Sequence, residues 1–483
     1  MTQPKKILFT HSYFYRFDKK QWENQQPYPP LGTITAAAWM RQNNFKVALC
    51  DTALAKGPEV IEPFLNKNFD CLAIYDDGFN YLTKMCLTNM REAAFTMAKM
   101  AKEKGLQVFV SSSDSTDHFE LYLSNGADVV ILGEAEETLL ELANGEKSYA
   151  EIPGIAYAEN GEIKKNPKRP VMRDLDQIPM AAWDLVNIAP YRELWMEKWG
   201  YFSLNLATTR GCPFKCNWCA KPIYGNRYNT RSPQHVANEI EYLVKNFKPT
   251  HFWMCDDIFG LKPGWVQAFR DEVKSRNLSF KYKIQSRVDL LLKEDSIEAL
   301  AQSGLHEVWV GAESGSQKIL DAMDKGTQLS QIEEATRILK LKGVRIAFFL
   351  QFGYLGETKE DIQKTIDMVK KLKPDDIGIS VSYPLPGTKF YETVKSQLGG
   401  KQNWTDSDDL AMMYQGTFSS AYYKKLHRFV HKEFRKAKAK EALGQVLTGK
   451  ANPIKKAKPI LSYLYYAPTS IFDKQELKRL ETK

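Results

Sequence analysis

Three cysteines, Cys212, Cys216 and Cys219, lie in the stretch Arg210-Gly-Cys-Pro-Phe-Lys-Cys-Asn-Trp-Cys219 at the spacing Cys-x3-Cys-x2-Cys. Thiolates this close together can converge on one soft metal centre, because the intervening loop is long enough to wrap it. With no fourth cysteine nearby, a cubane iron–sulfur cluster would keep one iron without a protein ligand, open to chemistry. Three plainer readings compete. Structural zinc closes with a fourth Cys or His, but no second Cys-x2-Cys exists and the nearest histidine, His235, falls in a predicted helix. Disulfides fit poorly, because three clustered cysteines cannot pair off and the other four are scattered singly. Inert buried thiols do not suit a loop carrying Gly211, Pro213, Lys215 and Asn217.

Something must position that loop, and the pattern around it is α/β. In residues 1–150, apolar runs at 6–10, 46–50, 70–75, 106–111 and 128–132 alternate with helices. One helix opens at Pro29-Pro30-Leu31-Gly32, and others span about 84–104 and 136–143. Continuous apolar strands between helices predict a parallel, doubly wound sheet. Such sheets bind ligands at the carboxyl ends of their strands, here Ser111-Ser-Ser-Asp-Ser-Thr-Asp-His118 and Gly133-Glu-Ala-Glu-Glu137. Taken alone, these are ordinary polar strand-end loops. No Gly-x-Gly-x-x-Gly follows the first strand and no P-loop occurs, so dinucleotide and nucleoside-triphosphate sites are not supported.

Residues 151–200 read as a linker with a hairpin at Asn160-Gly161, punctuated by Pro167, Pro170, Pro179 and Pro190. From 201 to 423, six strands are predicted at 204–209, 251–255, 281–286, 306–312, 344–352 and 377–383. Six βα units cannot close an eightfold barrel, so a partial barrel open on one side fits. Polar residues end these strands: the cysteine loop, Asp256-Asp257, Gln285-Ser286-Arg287, Glu313-Ser314, and Tyr354 with Gly356-Glu357-Thr358. Individually, Asp256 and Asp257 could cap the next segment and Arg287 could pair with a surface acid. Gathered at one end of successive strands, they read as one site.

The 483 residues allow two domains and a small third element, with ordinary hydrophobic (43%) and charged (26%) content. The opening Met1-Thr-Gln-Pro-Lys-Lys is no signal peptide, and no apolar run approaches the length of a membrane span. Seven cysteines, three of them clustered, suit the reducing cytoplasm. The net charge of +9 is concentrated: residues 424–483 hold 16 Lys or Arg against 5 Asp or Glu, leaving the rest slightly acidic. In that tail Leu426, Phe429, Val430 and Phe434 recur at helical spacing among basic residues, followed by Pro459-Ile-Leu-Ser-Tyr-Leu-Tyr-Tyr466. A helix packed on the body by its apolar stripe is the plain reading. Contact with an anionic partner (a membrane surface, RNA or a phosphorylated substrate) is the sharper one, and the aromatics of 459–466 suit a membrane interface.

Over residues 5–435 the chain resembles the radical S-adenosylmethionine (radical SAM) superfamily, in the branch with an N-terminal cobalamin-binding domain. The resemblance rests on the three cysteines, Phe252-Trp-Met-Cys-Asp-Asp-Ile-Phe259, Ile284-Gln-Ser-Arg-Val-Asp289 and Val310-Gly-Ala-Glu-Ser-Gly-Ser316. Gly353-Tyr-Leu-Gly-Glu-Thr358, Tyr383-Pro-Leu-Pro-Gly-Thr388, Pro29-Pro-Leu-Gly32 and Gly133-Glu-Ala-Glu-Glu-Thr138 add to it. It implies a [4Fe–4S] cluster on Cys212, Cys216 and Cys219, with S-adenosylmethionine (SAM) on the fourth iron. Asp256 or Asp257 would then meet the SAM ammonium, Ser286 and Arg287 its carboxylate, and Glu313 and Ser314 its ribose. Trp218 would shield the cluster or pack on adenine. Ser112, Ser113, Asp114, Gly133 and Glu134 would line cobalamin. That lining departs from the family pattern, with serines in the third loop, Ala135 for a glycine, and no Asp-x-His-x-x-Gly to coordinate cobalt.

The implied fold is a Rossmann-like cobalamin-binding domain (1–150), a linker (151–200), a partial (β/α)6 radical SAM barrel (201–423) and a basic helical extension (424–483). The implied activity is reductive cleavage of SAM to a 5′-deoxyadenosyl radical, with methyl transfer to an unactivated carbon. The alternatives are a cobalamin-independent hydrogen abstraction, cyclisation or rearrangement, or a cluster-bearing sensor. The implied partners are a small-molecule or lipid-like substrate and a reductant such as flavodoxin or ferredoxin; nucleic acid is not expected.

Overall fold

The computed structural model describes residues 5–449 and 451–481. Residues 1–4 of the opening segment, and 450, 482 and 483 of the tail, lie outside it. The first sheet contains β1 (Lys6–Thr10), β2 (Lys46–Cys50), β3 (Cys71–Tyr75), β4 (Gln107–Ser111), β5 (Val129–Ile131), β6 (Ile155–Glu159) and β7 (Glu162–Lys165), in the order β2-β1-β3-β4-β5-β6-β7. Strands β1–β5 are parallel. The central strand β3 is buried at every position, as an apolar run covered on both faces must be. The strand order reverses between β1 and β3, which opens a crevice at their carboxyl ends. Asn160 (φ 53°) and Gly161 (φ 82°) both take left-handed backbone, the geometry of a two-residue hairpin turn. The hairpin adds β6 and β7 antiparallel to the edge of this same sheet.

The segment that follows is wedged between the two α/β units. Trp183 donates to Glu239 at 3.0 Å, Trp195 to the Pro27 carbonyl at 2.8 Å, and the Tyr191 hydroxyl to Asp51 at 2.7 Å. Both indoles are fully buried, and truncating either to alanine would cost about 3–5 kcal/mol.

The second sheet runs β8 (Ser203–Leu206), β11 (His251–Met254), β12 (Lys281–Ser286), β13 (Leu305–Glu313), β14 (Arg345–Phe352) and β15 (Asp376–Val381), all parallel and in sequence order. This is the open six-stranded partial barrel. A separate antiparallel ribbon, β9 (Thr209–Arg210) with β10 (Asn229–Thr230), closes the base of the cysteine loop. The helix Pro233–Phe247 shows how local signals fix an element. Ser232 caps it by accepting from the His235 amide, Pro233 occupies its first turn, and Val236, Ile240 and Leu243 turn inward.

Three boundaries differ from expectation. The strand predicted at 204–209 stops at Leu206, because the Thr208 and Thr209 amides donate to Asp256 instead of to a neighbouring strand. The helix predicted from 84 starts at Thr88, because Cys86 (φ 55°) interrupts it. The loop after β4 contains a short helix, Ser113–Asp117. The tail forms two long helices, Ser420–Leu447 and Pro453–Leu480, packed side by side. Leu426, Phe429 and Val430 of the first are buried against the body.

Candidate functional site

The cysteine loop leaves the carboxyl end of β8 through the β9–β10 ribbon. Gly211 (φ 79°) begins it, and a Cβ there would stand 2.4 Å from the Arg227 carbonyl oxygen. Only glycine lets the outgoing and returning arms approach this closely. Asn217, between the second and third cysteines, anchors the loop tip. Its amide donates to the Met323 carbonyl (3.1 Å), its side-chain NH2 to that of Ala322 (2.7 Å), and its side-chain oxygen accepts from the Tyr354 hydroxyl (2.7 Å). The three thiols are free and half-buried. Burial pushes Cys219 up to about 12 and Cys212 upward as well. Among the described residues no three His, Cys, Asp or Glu side chains close on one point. The loop carries three free thiols and no fourth donor, a set whose types and spacing fit a cluster with one open iron.

The predicted strand-end residues surround this loop but differ in what they have left to offer. Asp256 is buried and saturated: Oδ1 accepts from the Thr208 and Thr209 amides (2.6 and 2.8 Å), and Oδ2 from the Thr208 hydroxyl (2.6 Å). Burial lifts it to about 6 against these bonds. Asp257 pairs with Lys84 of the N-terminal unit. Burial alone would lower the Lys84 ammonium, but the charge and hydrogen bond of Asp257 outweigh it. Ser286 donates to the Phe259 carbonyl at 3.1 Å. Arg287 is held by Asp289 (Nε–Oδ1 2.9 Å), lies over the Phe214 ring (3.8 Å), and directs Nη1 toward the Cys216 sulfur at 3.9 Å. Ser314 is buried and bonded to Thr365 and the Ser316 amide. Trp218 packs on the cluster of Ile319, Tyr354 and Phe390, its buried Nε1 without a partner among the described residues.

Glu313 reaches the site through a bulge. The β13–β14 register shifts between Gly311 and Glu313, and Glu313 takes φ 55°, a strained conformation for a non-glycine. Its Oε1 accepts from Lys325 Nζ at 2.8 Å, and a Cβ on Gly311 would fall 2.4 Å from both atoms. Burial would lower Lys325, but Glu313 and the nearby Cys216 hold it up as a cation. Lys325, Lys84 and Asp289 join the site beside the residues expected from the sequence. Asp289 stood inside a quoted motif, whereas the two lysines carry no local signal, because their partners lie 12 and 173 residues away.

The N-terminal strand ends face this loop. Tyr224 stacks on Phe79 (5.5 Å), and a Cβ on Gly78 or Gly133 would sit 3.5 Å from the Tyr224 hydroxyl or 3.4 Å from the Ile223 carbonyl. Glu134 and Glu136 clamp Arg210 at 2.5 and 2.6 Å, all three side chains buried. Ser112 caps its short helix, and Asp114 binds Arg91 and the Tyr122 hydroxyl. Ser113 Oγ is buried without a partner among the described residues. A small cavity touching Ser12, Asp76, Thr83, Cys86 and Arg91 lies at the crevice between β1 and β3. An unpaired hydroxyl and a polar crevice at these strand ends fit an amide-rimmed ligand such as a corrin.

A model of the radical SAM superfamily matches residues 206–369. An uncharacterized methyltransferase, PH0819 of Pyrococcus horikoshii, is 29% identical over 320 residues, which are 64% of this chain and 68% of that protein. The anaerobic magnesium-protoporphyrin IX monomethyl ester cyclase of Cereibacter sphaeroides is 28% identical over 56% of this chain, and this chain spans 45% of the cyclase. Among solved structures, the cobalamin-dependent SAM radical enzyme OxsB, with aqua-cobalamin and SAM bound, aligns at TM-score 0.72 and 16% identity. The alignment covers 98% of this chain and 72% of OxsB. At that identity the likeness speaks for the fold.

Proposed function

We propose that this chain, which carries a radical SAM domain over residues 206–369, is a cobalamin-dependent radical SAM enzyme that methylates an unactivated carbon of a small-molecule or lipid-like substrate. The observation that supports this most is the apposition of the two strand-end surfaces, with the returning arm of the cysteine loop packed on Gly78 and Gly133. Two cofactors held on those surfaces would share one substrate space. When bound, the cluster supplies an electron to cleave SAM and the corrin a transferable methyl group.

The protein's part is placement and exclusion of water. Cys212, Cys216 and Cys219 hold the cluster. Arg287 and Lys325, cations beside Cys216, receive the SAM carboxylate, and Asp257 receives the ammonium. Glu313 offers its second oxygen to the ribose. Asp256, Ser286 and Ser314, already bonded to the protein, set the backbone around them, and Trp218 walls the adenine side. On the facing surface Ser113 would meet the corrin, while Ser112, Asp114, Gly133 and Glu134 hold those loops in place. A small reduced protein such as flavodoxin or ferredoxin supplies the electron. The clustered free thiols suit the cytoplasm, and no described helix is long and apolar enough to cross a membrane.

The likeness to the cyclase favours one second reading, ring formation on the same cofactors. Anaerobic reconstitution should give about four irons per chain, a corrin absorption spectrum, 5′-deoxyadenosine from SAM and a methylated product. SAM cleavage by Cys216→Ala would refute the enzyme reading. Cleavage without bound corrin would point to cobalamin-independent chemistry, and iron without SAM cleavage to a sensor.

A further inference from the structure

The helix Pro453–Leu480 buries Leu477 beside a mostly polar seam and turns most of its other large apolar side chains outward. Asp473 and Ser470 are buried in a seam where Lys425 and Lys432 pair with Asp473 (3.3 and 2.6 Å) and Lys436 donates to Ser470 (3.0 Å). Its outward face carries Ile454, Leu461, Leu464, Tyr465, Ile471 and Phe472, exposed by 59 to 84%. These positions recur at helical spacing along one side, a ridge about 27 Å long at 1.5 Å per residue. Leu447, at the end of the preceding helix, is also exposed, by 77%. A contiguous ridge of this size marks a contact site.

Its flanks say what the contact is. Lys456, Lys458, Lys474 and Lys478 make no ion pair among the described residues, whereas the acids of the helix are taken up: Asp473 and Glu476 by the seam lysines, and Glu481 by Lys359. A second copy docking on this face would bring two such lysine rims together. A sheet of anionic headgroups over acyl chains complements both parts, since lysine stems reach outward while the apolar side chains enter. The Lys359–Glu481 pair (2.7 Å) ties the far end of the helix to the start of the helix Lys359–Leu372, which follows β14 at the site end of the barrel.

We propose that the ridge of the helix Pro453–Leu480 docks the enzyme on an anionic membrane surface, lying in the interface without crossing it. The proposal does not depend on the chemistry assigned to the cysteine loop. Full-length protein is floated with vesicles of phosphatidylcholine alone or containing phosphatidylglycerol, at low and high salt. Binding is expected only with phosphatidylglycerol and is expected to fall as salt rises. The variant Leu461→Gln/Leu464→Gln/Ile471→Gln/Phe472→Gln should lose at least tenfold in partitioning, and Lys456→Gln/Lys458→Gln roughly fivefold per lysine removed. Iron content and helical circular dichroism establish that each variant is folded. Partitioning that is unchanged in the apolar variant overturns the proposal, as does equal binding to neutral vesicles or no binding to either. A lipid-free dimer abolished by the same apolar substitutions overturns it in favour of a second copy.

Discussion

Replacing Arg210 by methionine tests whether the two α/β units are held together through a buried charge cluster. Arg210 forks between Glu134 and Glu136 at 2.5 and 2.6 Å, and the three side chains are 2 to 8% exposed. Removing the cation strands two carboxylates in a dry interface, a loss of about 3–5 kcal/mol. With an unfolding entropy of roughly 2.1 cal/mol/K per residue, a chain this long should lose about 3–5 °C in Tm if it unfolds cooperatively. Burial already raises Glu134, Arg210 opposes the rise and Glu136 adds to it, so without Arg210 its pKa climbs further. A carboxyl whose folded pKa is raised loses stability as pH rises from its unfolded toward its folded value. The deficit should therefore be smallest in acid, where Glu134 is protonated in both states, and grow as pH rises through its unfolded value. The variant Arg210→Met/Glu134→Gln/Glu136→Gln should recover most of it, since no charge is left unpaired. Thermal unfolding of the anaerobic, reduced chain across pH measures all three proteins. A single variant within about a degree of wild type at high pH, or a deficit independent of pH, would refute the reasoning.

Other outcomes follow from the same geometry. Gly211→Ala, which puts a Cβ 2.4 Å from the Arg227 carbonyl oxygen, should leave the fold intact and cut reconstituted iron severalfold; normal loading would show that the loop has slack. Lys325→Met should raise the KM for SAM about tenfold, one charged hydrogen bond's worth, with iron content unchanged. Asp51→Asn should cost about 1–3 kcal/mol at neutral pH, because Asp51 accepts from Tyr191 at 2.7 Å and pairs with His11 at 3.0 Å. Burial alone would raise Asp51, but the bond and charge of His11, with Tyr191 and the Ala53 amide, carry it below its ordinary value. Its stabilisation is thus present above the unfolded carboxylate pKa and lost as pH falls through the lowered one, so urea titrations of the two proteins should converge in acid. A chain ending at Gly449 should keep its iron and cleave SAM, because the helix it loses packs chiefly on the helix Ser420–Leu447.

Several features are legible in the residues alone because their signals are local. The cysteine spacing lies within one loop, Asn160-Gly161 dictates a left-handed turn, and Ser232-Pro233 followed by Val236, Ile240 and Leu243 specifies a helix and its buried face. Strand alternation yields both parallel sheets, because covered strands must be apolar throughout. Boundaries failed where a distant group intervened. Asp256 draws the Thr208 and Thr209 amides out of β8 from some 48 residues away. The tail showed its basic charge, its first apolar stripe and the aromatics of 459–466, yet the outward direction of the second helix's ridge was not legible, since a stripe does not say which way it faces.

What the residues determined by themselves is the donor set, three thiols with no fourth, and the strand ends that surround it, because both follow from spacing along the chain. What only the tertiary structure decided is which strand-end groups remain free. Asp256, Ser314 and Glu134 spend their hydrogen bonds on the protein, Lys84 and Lys325 arrive as the partners of Asp257 and Glu313, and Ser113 Oγ alone of these has no partner among the described residues. Hydrogen-bond capacity is spent across distances in space, and a linear pattern cannot say where.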